Sequence, residues 1–287
     1  MKLALGRFLN KGERNYLTPT YVITLTLHRE TREQTIFEEK TMSTQLLIYE
    51  NVVPISKERH AKWSLQAGKD FKHTEKLNLV PLLATEFLAA AREYPIVFSK
   101  KDDQIQTLAL LGFREGENFF LDEKGNWTAS YIPAFLRRYP FVFSRSEDGK
   151  QFTLCIDESF PGFDKSGKKG EKLFAKDGKT TPFVENVLKF LQAFHNDQNK
   201  TQALCKKLDE LDLFQPQNAL WTGTDGQKAA LTGFHCLDRA KLKDVPTKML
   251  KGMIESGELD LIYAHLMSLG NFNRFKDNLA KTAVAAG

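Results

Sequence analysis

Cysteine is scarce in this 287-residue chain, which excludes several classes of protein. The three cysteines, Cys155, Cys205 and Cys236, are odd in number and far apart, and no Cys-x-x-Cys pair occurs. A disulfide scaffold, a zinc knuckle and a redox dithiol are therefore not indicated. We expect three small, buried, apolar side chains, which fits a reducing compartment.

Long hydrophobic runs are also missing. No apolar segment approaches the roughly 20 residues that are needed to cross a bilayer. The best candidate near the front, Tyr16 to Leu27, is interrupted by a proline and several threonines and lacks a small-residue cleavage site after it. We therefore predict a soluble, cytoplasmic protein that is neither secreted nor inserted in a membrane.

The familiar catalytic and ligand-binding motifs do not occur. The sequence has no glycine-rich phosphate loop, no HExxH, no GxSxG and no EF-hand loop. Its six histidines never lie two or four residues apart. The net charge of +5 is mild, and no Lys/Arg run is dense enough for nucleic acid. We predict no catalytic residue, no metal, no cofactor and no nucleic-acid partner.

The first 41 residues differ from the remainder of the chain. They are rich in Thr, Glu and Arg and show little helical periodicity. We expect residues 1–41 to be an N-terminal extension outside a folded domain of residues 42–287, with Met42 and Met1 both open as the true start. Deleting 1–41 should leave the melting temperature unchanged.

A pattern of helix, Tyr-Pro corner and hairpin occurs twice. Pro81 lies where a helix would begin, and Tyr94-Pro95 ends that helix because proline cannot continue it. Strands follow at Ile96–Phe98 and Ile105–Phe113. The same order recurs around Tyr139-Pro140, 45 residues later (139 minus 94). We predict two helix–hairpin units, which could pack as a pseudo-symmetric pair around a common sheet. The alternative is that the two helix-to-strand corners are alike by chance.

The second half of the chain is richer in helical patterns. Helices are predicted to begin at Pro182, Thr201, Pro246 and Glu258. Asp225-Gly226 predicts the turn of a β-hairpin. The Gly- and Lys-rich segment 161–181 predicts a surface loop or hinge and a subdomain boundary. The fold class is α+β: antiparallel hairpins with packed helices, then a helix-rich C-terminal half.

The segment from Tyr131 to Phe141 is the strongest candidate for function. Adjacent arginines on a helix point about 100° apart, and an arginine beside aromatic rings suits a carboxylate or phosphate ligand. The alternative is a structural arginine that pairs with an acid and stacks on Tyr139. The candidate ligand-binding residues are His60, Trp63, Asn118, Trp127, Tyr131, Arg137, Arg138 and Tyr139.

Three of these candidates have alternatives of their own. His60 belongs either to a cation and aromatic patch with Trp63 or to a plain surface corner. Asn118 either orients a substrate or satisfies backbone groups at a turn. Trp127, after a hairpin-like turn, is expected to pack on the next helix.

Several segments together resemble the bacterial SapC family, whose members are soluble proteins. The matching segments are Asn51-Val52-Val53-Pro54-Ile55, His60, Trp63, Val80-Pro81-Leu82, Glu93 to Phe98, Leu111-Gly112-Phe113, Glu117 to Phe120, Trp127, Tyr131 to Phe141, Leu173-Phe174, Gly233-Phe234 and Tyr263 to Leu269. The resemblance covers Met42 to about Leu279. It does not extend to the peptide-transporter permease of the same name, which needs membrane segments. It implies no assigned reaction, and only by association an accessory role near TonB-dependent uptake or peptide modification.

Three functions follow, in order of preference. The first is a non-catalytic binding or accessory protein that recognises a peptide, a glycan or a partner enzyme. The second is an enzyme with a dispersed site, for which the acid–base candidates are His60, His265, Glu117 and Asp157. The third is a surface-layer component, which would require export. The identity of the ligand or partner and the oligomeric state stay open.

Overall fold

The computed structural model describes residues 48–66, 68, 70–101, 104–145, 151–222 and 228–275. The predicted extension 1–41, the alternative start Met42 and the turn Asp225-Gly226 lie outside these ranges. Those three expectations therefore stay predictions.

The described chain combines helices with antiparallel strands, as the α+β prediction requires. Its helices are α1 Lys57–His60, α2 Phe87–Ala90, α3 Ala134–Arg137, α4 Pro182–Glu210, α5 Thr247–Glu255 and α6 Glu258–Ser268. Its strands are β1 Val52–Pro54, β2 Ser64–Leu65, β3 Leu79–Pro81, β4 Ile96–Lys101, β5 Gln104–Leu110, β6 Phe141–Arg145, β7 Phe152–Asp157, β8 Phe163–Asp164, β9 Glu171–Lys172, β10 Phe214–Thr222 and β11 Lys228–Leu237. The fold class is confirmed.

The strands of the described chain form three antiparallel sheets. The largest has the order β10-β11-β4-β5-β3, and two three-stranded sheets have the orders β1-β7-β6 and β8-β2-β9. β8 and β9 both belong to the segment 161–181, and each pairs with β2. That segment therefore supplies the two outer strands of this sheet and is not only a surface loop, and the subdomain boundary stays a prediction.

The two helix–hairpin units exist, but they do not share a sheet. The first consists of α2 and the β4–β5 hairpin, and the second of α3 and the β6–β7 hairpin. β4 also pairs with β11, whereas β7 pairs with β1. The two hairpins pair with different outer strands and therefore belong to separate sheets, so the prediction of a common sheet is wrong. The corners differ too, since only the Tyr139-Pro140 peptide is cis in the described chain.

Two predicted helix starts are corrected. Pro81 ends strand β3 because Leu79–Pro81 pairs with Leu108–Leu110, and helical structure begins only at Ala84. Thr201 does not open a second helix, because α4 runs unbroken for 29 residues. Its hydroxyl donates to the carbonyl of Asp197 at 2.7 Å and accepts the N–H of Ala84 at 2.8 Å. Thr201 is thus a mid-helix residue that fastens α4 to the turn before α2.

Helix α4 connects the hydrophobic cores. Near its start, Val184 and Leu191 pack with Phe141 and Ile156 of the β1-β7-β6 sheet. Towards its end, Leu204 and Leu208 join the core that covers one face of the large sheet. The second helix–hairpin unit packs against the first half of α4, and this is where the candidate site forms. Cys155, Cys205 and Cys236 are free and buried, as expected.

Candidate functional site

The corner after α3 directs two adjacent arginines to opposite environments. The carbonyl of Pro133, which precedes α3, accepts the N–H of Arg137 at 3.1 Å. Successive helical residues point about 100° apart. Arg137 therefore faces outwards with 44% of its side chain exposed, whereas Arg138 is only 5% exposed.

Arg137 lies over two aromatic rings at the surface. Its guanidinium carbon is 5.8 Å from the ring centroid of Tyr131 and 5.5 Å from that of Phe190. Its Nε donates to the carbonyl of Ile132 at 2.9 Å, and its Nη2 is 3.9 Å from the carboxylate of Glu86. Cation–π contacts at this range hold a guanidinium in place. The cation is thus fixed in position while part of it still meets solvent.

Glu86 organises this corner, and sequence reasoning missed it. Its buried carboxylate accepts the N–H of Leu83 at 2.9 Å, the N–H of Ala134 at 2.7 Å and the hydroxyl of Tyr131 at 2.5 Å. Burial raises the pKa of Glu86, and these hydrogen bonds oppose that rise. One feature of the sequence could have identified Glu86, since it is the only charged residue in the run 80–91.

Arg138 is a structural cation among aromatic rings. Its guanidinium carbon is 4.3 Å from the ring centroid of Phe135 and 4.8 Å from that of Phe194. Its guanidinium also bonds the hydroxyl of Tyr49, which donates to the carbonyl of Phe141 at 2.7 Å. Burial lowers the pKa of Arg138 and raises that of Tyr49. Arg138 packs on Phe135 and Phe194 and not on Tyr139, which the structural alternative named, and a role for Arg138 in ligand binding stays a prediction.

A cavity of about 460 Å³ opens between this corner, α4 and the loop after β2. Its aromatic lining residues are Phe71, Tyr139, Phe141, Phe160, Phe183 and Phe190. Its polar lining residues are Gln66, Asp70, His73, Arg137, Arg138 and Asn186. Mostly apolar cavities of roughly 300–1,000 Å³ with a few polar groups are typical of sites for small molecules. Three of the predicted residues, Arg137, Arg138 and Tyr139, come together here.

Tyr139 and His73 form one wall of the cavity. Their rings stack with centroids 4.4 Å apart, and the hydroxyl of Tyr139 donates to Asp157 at 3.3 Å. Burial lowers the pKa of His73 to about 4, so its imidazole is neutral at pH 7. The buried Nε2 of His73 has no hydrogen-bond partner among the described residues. Sequence reasoning missed His73, because the loop 66–76 gives no sign of what it packs against.

The SapC family model matches residues 55–275, about three quarters of the chain. The chain belongs to the SapC family. No curated protein and no solved structure matches it. The matched region contains every lining residue of the aromatic cavity. In the part of this SapC protein that the structure describes, no helix is long and apolar enough to span a membrane.

Two predicted residues of the SapC domain, His60 and Trp63, lie outside the cavity. Both are buried. The Nε2 of His60 is 2.9 Å from Glu158, and its Nδ1 accepts the N–H of Ser56 at 3.0 Å. The ring of Trp63 packs against His60 with centroids 4.8 Å apart. His60 is thus not a surface corner, because it is buried and its hydrogen bonds tie α1 to the end of β7. The role of His60 and Trp63 in a cation and aromatic patch for a ligand stays a prediction.

Trp127 and Asn118 also make internal contacts. The Nε1 of Trp127 donates to the hydroxyl of Tyr94 at 2.9 Å, and its ring stacks on that of Phe120 with centroids 5.9 Å apart. Asn118 donates from Nδ2 to the carbonyl of Thr74 at 3.0 Å, and its Oδ1 accepts the N–H of Phe120 at 2.9 Å. Asn118 thus satisfies backbone groups, as its structural alternative holds. Roles for these two residues in ligand binding stay predictions.

The acid–base residues of the enzyme alternative are bonded to the backbone. His265 accepts the N–H of Leu237 at 3.0 Å, Glu117 accepts the N–H of Phe113 at 3.0 Å and Asp157 accepts the N–H of Glu50 at 2.8 Å. None of these three acid–base residues lines the aromatic cavity. Across the described ranges, no group of three His, Cys, Asp or Glu side chains is placed to hold a metal ion.

Proposed function

We propose that this SapC protein is a non-catalytic binding protein that recognises a peptide, a glycan or a partner enzyme at the aromatic cavity. The observation that carries the proposal is Arg137. Its cation is held over Tyr131 and Phe190, is 44% exposed and lines the cavity. An arginine fixed in this way offers a planar fork of donors to a carboxylate, phosphate or carbonyl group.

The lining of the cavity supports a ligand that is flat or apolar at one end. Phe160 and Tyr139 meet edge-on with ring centroids 5.2 Å apart, which is a geometry favoured by aromatic pairs. His73 adds one neutral nitrogen with a free lone pair or N–H. An apolar body with a polar end therefore suits the site, and Arg137 would meet the polar end.

The hydrogen bonds of the acid–base residues favour binding over catalysis. A general base must reach the proton that it removes. His265 and Asp157 instead accept backbone N–H groups and do not line the cavity. The place of the protein in nutrient uptake or peptide modification rests on the family resemblance and is proposed by association only.

The experiment compares ligand capture by the full chain with capture by two single variants. Wild type, Arg137→Ala and the surface control Arg239→Ala are incubated with extract of the native cells. Retained proteins, peptides and small molecules are then identified by mass spectrometry. Arg239 is exposed and does not line the cavity. We expect a molecule that wild type and Arg239→Ala retain and that Arg137→Ala loses.

The Arg137→Lys variant separates the effect of the positive charge on capture from the effect of the planar guanidinium group. Lysine keeps the positive charge but loses the planar fork, so we expect intermediate capture. Equal recovery by all four proteins, each with an unchanged circular dichroism spectrum, would show that Arg137 does not carry recognition.

A further inference from the structure

Strand β5 extends beyond its neighbour β3. The three residues of β3 pair only with Leu108–Leu110. The last bond along this edge runs from the N–H of Leu82 to the carbonyl of Thr107 at 3.0 Å. The chain then turns away into the 3-10 turn Ala84–Glu86. Within the described chain, residues Gln104–Gln106 therefore have a strand partner, β4, on one side only.

The register identifies which backbone groups face the open side. The N–H of Leu110 donates to the carbonyl of Pro95, on the chain that leads into β4. The N–H and C=O groups of successive residues alternate between the two sides of a strand. The even-numbered residues of β5 therefore direct these groups towards β4, and the odd-numbered residues direct them towards β3. Ile105 therefore directs its N–H and C=O towards the open side. No described residue bonds them there.

This open edge borders a cleft of about 790 Å³. One wall contains Gln104–Thr107 of β5, and another is α4. Along α4, Gln198, Gln202 and Lys206 line the cleft at intervals of four residues, so they share one face of the helix. The cleft is separate from the aromatic cavity, since the two share only Arg138 as a lining residue.

The charges that line the cleft nearly cancel. Its lining contains three cations, Lys101, Arg138 and Lys206, and two acids, Asp209 and Glu210, and Arg138 is buried among aromatic rings. Lys206 lies 3.9 Å from Glu210, and Asp209 pairs with Lys100. Since the two acids lie beside the lysines and Arg138 is only 5% exposed, the lining does not single out a phosphate or a carboxylate. Glutamine amides both donate and accept, as peptide groups do.

The aromatic rings of the cleft argue against a sugar. Phe135 is 2% exposed and Phe194 is 8% exposed. Neither ring offers an open face on which a sugar would stack. A ligand that satisfies the backbone groups of Ile105 fits this cleft better.

We propose that this cleft binds an extended peptide, which adds to the open edge of β5 at Ile105 as a further strand. In strand addition, main-chain hydrogen bonds supply affinity and flanking side chains supply specificity. Gln198 and Gln202 of α4 are the specificity side chains. This second site is independent of the function proposed for the aromatic cavity.

The test begins with random-sequence peptides displayed on phage and selected on the full wild-type chain. The dissociation constant of a selected synthetic peptide is then measured by fluorescence anisotropy. Gln202→Trp places a bulky ring in the cleft, and Gln192→Trp adds the same ring at an exposed position of α4 outside it. We expect affinity to fall by about tenfold or more in Gln202→Trp, roughly the loss of one or two main-chain hydrogen bonds, and to be unchanged in Gln192→Trp.

A scan of N-methylated peptides tests the strand geometry without altering the protein. Only alternate amides of an added strand face β5, so methylation should weaken binding at every second residue. Failure to select any peptide, equal affinity for the two Trp variants or no alternation in the scan would overturn the proposal. Loss of binding in Arg137→Ala would also overturn it, because the peptide would then occupy the aromatic cavity.

Discussion

The carboxylate of Glu86 accepts the backbone N–H of Ala134 at 2.7 Å, across 48 residues of sequence. This bond joins the turn before the first helix–hairpin unit to the first residue of α3 in the second. The same carboxylate holds the hydroxyl of Tyr131, which packs under Arg137. The position of Arg137 therefore depends on a buried acid far from it in sequence.

Replacing Glu86 with glutamine should destabilise the fold and disturb this corner. The amide supplies one acceptor oxygen where two oxygens now accept three hydrogen bonds, so a buried N–H of Leu83 or Ala134 would lose its partner. The expected cost is about 1–3 kcal/mol in the free energy of unfolding, measured by urea denaturation. The exposed control Glu75→Gln should change stability by less than about 0.5 kcal/mol. Equal effects of the two substitutions would contradict the role of Glu86.

Arg137 and Arg138 should respond differently to the same substitution. Arg138→Ala removes a buried side chain and leaves a space between Phe135 and Phe194, so we expect a loss of roughly 2–5 kcal/mol from the packing that is lost. Arg137→Ala removes a half-exposed side chain and should cost about 1 kcal/mol or less. Chemical denaturation of both variants checks this, and similar losses would refute the division into structural and ligand-facing arginines.

Two glycines should respond to alanine with opposite signs. A Cβ on Gly112 would overlap the backbone carbonyl of Glu117, whereas a Cβ on Gly252 would meet nothing within 4 Å. We expect Gly112→Ala to lower the melting temperature strongly because the 112–117 loop must move. Gly252→Ala lies inside α5 and should raise stability by about 0.5–1 kcal/mol. A melting temperature of Gly112→Ala at or above that of wild type would be inconsistent with this close approach.

Stability should fall as pH falls below about 6.5. Burial lowers the pKa of His265 from 6.5 to about 3, so between these values the unfolded state binds a proton that the folded state does not. The free energy of unfolding then decreases by up to about 1.4 kcal/mol per pH unit for one such histidine. His73, with its pKa lowered to about 4, adds to the same trend.

His265→Gln isolates the contribution of His265. The glutamine oxygen still accepts the N–H of Leu237 but does not titrate. The slope of the free energy of unfolding against pH should therefore decrease by the amount due to about one bound proton, roughly 1.4 kcal/mol per pH unit. The same exchange at His195 on α4 serves as the control. Equal slopes for wild type and His265→Gln in urea titrations from pH 7 to pH 4 would show that His265 is not buried as a neutral ring.

The hairpins can be predicted from sequence because each is marked by residues that lie next to it in the chain. Ile96–Lys101 and Phe141–Arg145 both follow a Tyr-Pro corner, and both became strands. Thr201 was misread as a helix start because its hydroxyl bonds Asp197 and Ala84 inside a continuous helix. A threonine that caps a helix and one that bonds backward within it look alike in sequence.

The site was only partly predictable, because its parts meet through tertiary contacts. The segment around Arg137 stood out by composition, and Tyr139 came with it. His73 and Phe190 reach the same cavity from a loop and from α4, and nothing in their own neighbourhoods indicates this. The sheet that receives each hairpin is likewise decided by its outer strand partner, which local periodicity does not identify.

The most direct test of the proposed binding role fills the aromatic cavity. Asn186 lines the cavity from α4, and Asn196 is an exposed residue of the same helix that does not. Wild type, Asn186→Trp and Asn196→Trp are purified from native cells and compared by native mass spectrometry. We predict the same bound mass on wild type and Asn196→Trp and its loss from Asn186→Trp. Identical spectra for all three proteins, with or without a bound mass, would contradict the account.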